Sequence, residues 1–572
     1  MTATSEPLPT DLEIARAATL RPLTDVAADL GVRPEHLEPY GRDVAKIDLA
    51  VLDEPSTRHP SSATYVVVTA MTPTPLGEGK TTVSVGLAQA LQRLGQRATV
   101  ALRQPSMGPT FGIKGGAAGG GHSQVVPMER LNLHLTGDFH AVTAAHNLLA
   151  AMVDNHVHHG NALGLDVRNI TWRRVLDVND RALRNVVVGL GARQDGVARE
   201  TGFDITAASE VMVLLSLATS LRDLRERLGR IVVGYTTEGR GVTAEDLHAA
   251  GAMAALLADA LKPNLLQTLE GGPAIIHCGP FGNIATGTSS VTADLVAMRG
   301  SDVTITEAGF GADMGAERFF DVKCRVSGLR PDVAVVVATV RALKVHSGAY
   351  AVRAGTPLPE GLRREAPDEV EAGLPNLRKH IEIVRRFGVQ PVVALNAFPD
   401  DHESEHAVVR RFCNRLGVRS AVTRHVAEGG AGALELAQVV MEAAHEPSTF
   451  EFLYPLDLPL EQKIEAIATQ VYGADGIDVS PAAARALADY ERLGYGGLPV
   501  VIAKTHLSIS SDPTLRGAPR GWRLPVREVR AAVGAGYVYA ICGDMRTMPG
   551  LPSSPNAERI DIDEDGTVTG LS

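Results

Sequence analysis

The 572-residue chain reads as an α/β protein built on a mostly parallel sheet, and three observations predict that class. A β-branched strand beginning at Val66 runs into a glycine-bearing loop, then into a helical pattern and a second strand. Short β-branched runs bounded by Gly, Pro or Asp recur at intervals that leave room for helices. Helical periodicity fills some of those intervals. Alternation of this kind gives layered α/β architecture, whose parallel strands are buried on both faces and read as near-continuous apolar runs.

Taken in order, residues before about Arg58 read as a helical lead-in. The stretch VVVTAMTPTPLGEGKTT, Val66 to Thr82, is written as a phosphate cradle. Gly77 and Gly79 let the backbone turn its N–H groups inward, Lys80 adds a mobile positive charge, and the Thr81 hydroxyl can sit on Mg²⁺. The full GxxxxGK[ST] pattern wants glycine where Thr74 stands, so the context carries the reading, against a chance Gly-Lys-Thr in a surface turn. Val83, Leu87, Ala90, Leu91 and Leu94 recur at helical spacing with Gly95 as a stop, and ATVAL, Ala98 to Leu102, is the next strand. The expected fold is a P-loop NTPase-like core with smaller α/β domains.

Further strands are expected at Ile231 to Thr236, Ala274 to Gly279, Asp302 to Gly309, Asp332 to Thr339, Pro391 to Asn396 and Pro499 to Lys504. Helices are expected in the segments ending at His445 and Gly494. Gly355 to Pro375 reads as an exposed excursion or linker and Pro447 to Pro459 as a second boundary.

Composition narrows the function. Apolar residues make up 45% of the chain, no run of eighteen apolar residues exists, and the N-terminus is acidic where a signal peptide is basic, so a cytoplasmic protein is expected. A net charge of −11 without a basic run argues against nucleic acid or anionic membrane as partner. Four cysteines without a CxxC pair suggest reduced, buried thiols. His156, His158 and His159, even with Asp154, fit no zinc-ligand spacing, and the acidic tail IDIDEDG lacks a calcium loop's twelve-residue pattern. No NKxD guanine motif is present, which favours ATP.

Ligands of open α/β sheets bind beyond the carboxyl ends of the strands, and the Ala98 to Leu102 strand delivers Arg103 there. A guanidinium at that edge grips a carboxylate or acyl phosphate bidentately; a structural salt bridge is the equal alternative. Six glycines within ten residues follow, 112 to 121, in a segment that lets backbone approach a ligand and that also holds Lys114. Asp138 and His140 form a candidate acid/base or metal-orienting pair.

TPTPLGEGKTT, LRQPSMGPTFGIKGGAAGGGHSQVVPMERLNLHLTGDFH, TGFDITAASEVM, GPFGNIATG, TEAGFGADMGAERFFDVKCR, TVRALK, YGADGI and TMPGLP together resemble the formate–tetrahydrofolate ligases, from about Ile47 onward. The resemblance implies a ligase forming a carbon–nitrogen bond: ATP phosphorylates formate to formyl phosphate, and tetrahydrofolate displaces phosphate to give 10-formyltetrahydrofolate. It implies that Thr74, Pro75, Leu76, Gly77, Glu78, Gly79, Lys80 and Thr81 bind ATP, that Arg103 faces formyl phosphate, and that Lys114 and Asp138 line the pocket. Phe398 and the position of Val426 would hold the folate ring, although a valine cannot stack as the family's tryptophan does. Gln104, Thr286, Thr288 and Ser347 also depart from the family pattern. The resemblance further implies activation by K⁺ or NH₄⁺, a homotetramer and a monofunctional chain. Domains are expected at 1–60 (lead-in), 61–355 (nucleotide and formyl phosphate), 356–450 (folate loops) and 451–572 (C-terminal). Rival readings are a P-loop ATPase switch, or a ligase for another carboxylate and amine.

Overall fold

The computed structural model describes residues 9–54, 63–75, 77–113, 118–352 and 356–571. Its centre is a twelve-stranded sheet. Seven parallel strands run from its middle to one edge: β1 (Thr64–Ala70), β2 (Ala98–Leu102), β3 (Pro273–Ile276), β4 (Val303–Glu307), β5 (Val333–Ala338), β6 (Gln390–Asn396) and β7 (Arg419–Thr423), in the spatial order β3-β2-β4-β1-β5-β6-β7. Ile305 of β4 lies opposite Val100 on one side and Val66 on the other, so β4 sits between the loop strand and the arginine strand. Every residue of β2, β4 and β5 is buried, and their sequences are accordingly apolar or β-branched apart from Glu307 at the end of β4.

Alternate residues of β1 feed two different cores. Val66, Val68 and Ala70 pack with Val83, Leu87 and Leu91 of α1 (Lys80–Arg93), while Tyr65 and Val67 pack with Phe319, Phe320 and Phe387 on the opposite face. The helix α1 ends as its sequence dictates: Gly95 takes φ +81° and Gln96 N–H returns to the Leu91 carbonyl.

Several expectations are corrected. The lead-in is two short helices, Asp11–Ala17 and Leu23–Asp29, followed by strands Leu37–Pro39 and Ala45–Ile47 that extend the main sheet through the antiparallel strand Asn264–Thr268. The run at Ile231 forms a strand, Val232–Thr236, but it is the centre of a separate antiparallel three-stranded sheet. The run at Pro499 likewise gives Val500–Ala503 in a small C-terminal sheet. The stretch to Pro375 is no linker throughout: Pro367 opens a twenty-residue helix to Arg386 with Pro375 inside it, because proline suits a first helical position and the apolar face of Val370, Leu374, Leu377 and Ile381 drives burial. The main sheet also runs on past residue 356, through β6 and β7. Among the described residues no helix is long and apolar enough to cross a membrane.

Candidate active site

The loop after β1 is braced from within. Gly77 and Gly79 adopt φ +78° and +75°, in the left-handed region where a side chain is strained. A Cβ on Gly79 would stand 2.4 Å from Asn396 Nδ2. Glu78, buried between them, accepts a hydrogen bond from Thr74 N–H at 2.7 Å and another from the Thr339 hydroxyl at 2.8 Å, while Asn396 Nδ2 donates to its carbonyl. The loop is thus tied to the ends of β5 and β6. Burial raises the Glu78 carboxyl above the usual carboxylate range, opposed by the Thr74 and Thr339 hydrogen bonds and the Lys80 charge. Thr74 therefore serves the loop as donor to Glu78, in the place where the phosphate-loop pattern has glycine.

Lys80 and Thr81 begin α1, whose N-terminus carries the N–H groups and positive dipole end that favour an anion. The Thr81 hydroxyl donates to Glu307 Oε2 at 2.8 Å. Arg103, one residue past β2, reaches the other oxygen of the same carboxylate with two nitrogens at 3.4 Å, and its third nitrogen reaches the Pro280 carbonyl at 3.4 Å. Those distances exceed the roughly 2.8 Å of a tight charge-assisted bond, so the guanidinium is positioned but loosely held. The Glu307 side chain is 5% exposed and that of Arg103 25%. Gly309 leaves room for the guanidinium, since a Cβ there would lie 3.3 Å from it. Three adjacent strands thus converge on one carboxylate.

Glu307 was not singled out from sequence, although a signal existed: an acidic residue ending the β-branched run DVTITE at the carboxyl edge. Thr339 opens the TVRALK motif and Asn396 ends an expected strand, but neither reads from sequence as a brace for the loop. Leu76 and Lys114 lie outside the described residues. Asp138 opens a helix, Asp138–His158, and is buried, with its oxygens on Lys46 Nζ at 2.8 Å and Asn264 Nδ2 at 2.8 Å. His140 is exposed, because residues two apart on a helix face different sides, so the expected Asp138–His140 pair does not form. Gln104 is buried with its N–H on the Cys278 carbonyl.

Phe398 and Val426 lie at the same edge, just past β6 and β7. The β2 and β6 strands are four places apart, about 19 Å at normal strand spacing. The Arg341 guanidinium lies 4.1 Å from the Phe398 ring centre and pairs with Asp400 at 3.2 Å. Val426 is 37% exposed. The glycine-rich segment packs on it: His122 N–H donates to the Val426 carbonyl at 2.8 Å, and a Cβ on Gly121 would stand 2.0 Å from that oxygen. All four cysteines are free and buried. Asp154 pairs with Arg174 and Arg199, and among the described residues no His, Cys, Asp or Glu cluster could hold a metal.

A glycine-bearing loop opening a helix, with an arginine and a carboxylate on the flanking strands at the carboxyl edge, is the arrangement of an α/β enzyme of the phosphate-loop type. The family follows from comparison over the whole length. The formate–tetrahydrofolate ligase family profile matches residues 9–572, and the chain belongs to that family. A formate–tetrahydrofolate ligase of Saccharopolyspora erythraea is 68% identical over 565 residues, covering 99% of this chain and 100% of that protein. One from Cutibacterium acnes is 65% identical over 561 residues, covering 98% and 99%, and one from Rubrobacter xylanophilus 63% over 572 residues, covering 98% and 100%.

Proposed function

We propose that the chain joins formate to tetrahydrofolate at the expense of ATP, giving 10-formyltetrahydrofolate, ADP and phosphate. The observation that carries the reading is the meeting of Thr81, Arg103 and the Glu307 carboxylate. The Thr74 to Thr81 loop, with Lys80, holds the ATP phosphates. A formate oxygen attacks the γ-phosphorus in line, ADP departs, and Arg103 spreads the charge of the transferring group and then grips formyl phosphate. An amine of tetrahydrofolate attacks the formyl carbon, and phosphate leaves carrying one oxygen that began in formate. Water must be kept out, since an acyl phosphate hydrolyses, and the glycine-rich segment docked on Val426 supports such a cover.

Thr81 and Glu307 offer a hard, all-oxygen donor set that fits Mg²⁺, which commonly takes one or two carboxylates together with substrate phosphates. Bound there, the ion supplies neutralisation of charge on the β- and γ-oxygens. Phe398 offers a face to the folate ring, while Val426 leaves the second face without an aromatic partner. Asp138 and Lys114 stay proposals as pocket residues, Asp138 acting through its Lys46 and Asn264 contacts. Activation by K⁺ or NH₄⁺ and a homotetramer rest on membership of the family. A cytoplasmic location rests on the four free, buried thiols.

The test uses formate labelled with ¹⁸O in both oxygens. The reading expects one labelled oxygen in each phosphate released, with turnover needing tetrahydrofolate. Unlabelled phosphate excludes the acyl phosphate route.

A further inference from the structure

Three of the motifs carrying the family resemblance give no side chain to the chemistry above: FDITAASE at 203–210, GPFGNIA at 279–285 and TMPGLP at 547–552. The fold draws them together. Ile205 N–H donates to the Thr547 carbonyl at 2.8 Å, and the Thr547 hydroxyl donates to Asp204 Oδ1 at 2.6 Å. Ile284, Thr547 and Met548 line a cavity of about 190 Å³ whose walls also carry Arg173, Arg184, Arg530 and Arg546. The turn holding Ile284 begins at Pro280, whose carbonyl receives Arg103, so one short segment joins the cavity wall to that arginine.

Charge in this cavity is not balanced. Arg173 pairs with Asp204 at 3.1 Å and Arg530 with Glu528 at 2.5 Å. Among the described residues, Arg184 and Arg546 have no carboxylate within 4.0 Å. Arg184 instead donates Nε to the Met548 carbonyl at 2.9 Å, which fixes its fork, and Arg181 beside it donates to the Leu551 carbonyl. Burial, and then the nearby charges of Arg546 and Arg181, lower the Arg184 pKa, as expected where cations crowd without a counter-charge. A guanidinium anchored by a backbone carbonyl beside an uncompensated second one suits bidentate recognition of an oxyanion.

We propose that this cavity is a second anion site, binding a doubly charged oxyanion of the phosphate class between Arg184 and Arg546. The occupant is free phosphate or the phosphate of a small monoester, and both present the same oxygens to the two forks.

The full chain is first saturated with a non-hydrolysable ATP analogue, so that the loop at Lys80 is filled, and inorganic phosphate is then titrated by calorimetry. One saturable equivalent is expected, weakened roughly tenfold or more in the Arg184→Gln/Arg546→Gln double variant, with the KM for ATP and formate changed less than about twofold. Glycerol 3-phosphate in a parallel titration separates the sources: tighter binding than phosphate assigns the site to an ester, weaker binding to free phosphate. Arg546→Gln alone, an exposed position, should keep the wild-type thermal midpoint while losing affinity, which guards against a folding defect. Absence of saturable binding of both probes, or equal binding by the double variant, overturns the proposal. The readout is binding alone, so the result does not depend on the ligase reading.

Discussion

Glu307 shares its two oxygens between a loop residue and a strand-end arginine, and most of the site's chemistry passes through that sharing. In the proposed reaction Thr81 and the carboxylate would turn toward a cation, and the guanidinium toward the transferring group. Glu307→Gln keeps the shape and removes the charge. It should raise the Mg²⁺ concentration for half-maximal turnover by roughly tenfold or more, and weaken Mn²⁺ binding to the ATP complex measured by electron paramagnetic resonance. Arg103→Lys keeps a charge but loses the fork. The expected outcome is a kcat lower by roughly 10²-fold with the KM for ATP nearly unchanged, because the lost interaction belongs to the transition state.

The loop between β1 and α1 works as an element because its neighbours clamp it, through Thr339 from β5 and Asn396 from β6. Gly79→Ala combines strain at φ +75° with a clash at 2.4 Å against Asn396. It should raise the KM for ATP markedly while circular dichroism stays native, since only the loop's fit is disturbed. This element also shows what sequence makes legible. The cradle glycines, the helix stop at Gly95 and the strand at Ala98 are local features, and local spacing reveals them. The clamp is not local: Glu78 and Thr339 are 261 residues apart, and nothing near either residue announces the contact. For the same reason the strands at Ile231 and Pro499 are recognisable as strands, while the sheets that receive them are not. Pairing partners are a tertiary choice. Asp138 and His140 fail as a pair on a simpler ground, since their helix turns them apart.

Across the whole molecule, the seven parallel strands place the loop, Arg103, Glu307, Phe398 and Val426 on one edge, so a single sheet aligns the phosphate end with the expected folate end. The core holds buried ion pairs such as Lys46–Asp138, and also a buried histidine kept neutral. His146, stacked on Trp172 at 4.0 Å with its Nε2 at 3.0 Å from the Arg173 carbonyl, has its pKa lowered by burial to about 3. The folded state resists the proton that the unfolded chain accepts below the ordinary histidine value of about 6.5. The contribution is therefore complete above about pH 6.5 and declines as the pH falls toward 3, by up to about 1.4 kcal/mol per unit. His146→Phe retains the stack and cannot titrate. Thermal unfolding from pH 7 to pH 5 should show the wild type losing its advantage over the variant.

The proposed reaction couples ATP cleavage to the two other substrates at one edge of this sheet. The most direct measurement is ADP release from Mg-ATP in the presence of K⁺ with no addition, formate, tetrahydrofolate or both, followed by the absorbance of methenyl-folate after acidification. Turnover only with both substrates, with acid-converted product in step with ADP, is the predicted result. Equal ADP release without formate would contradict it and leave an ATPase switch in its place.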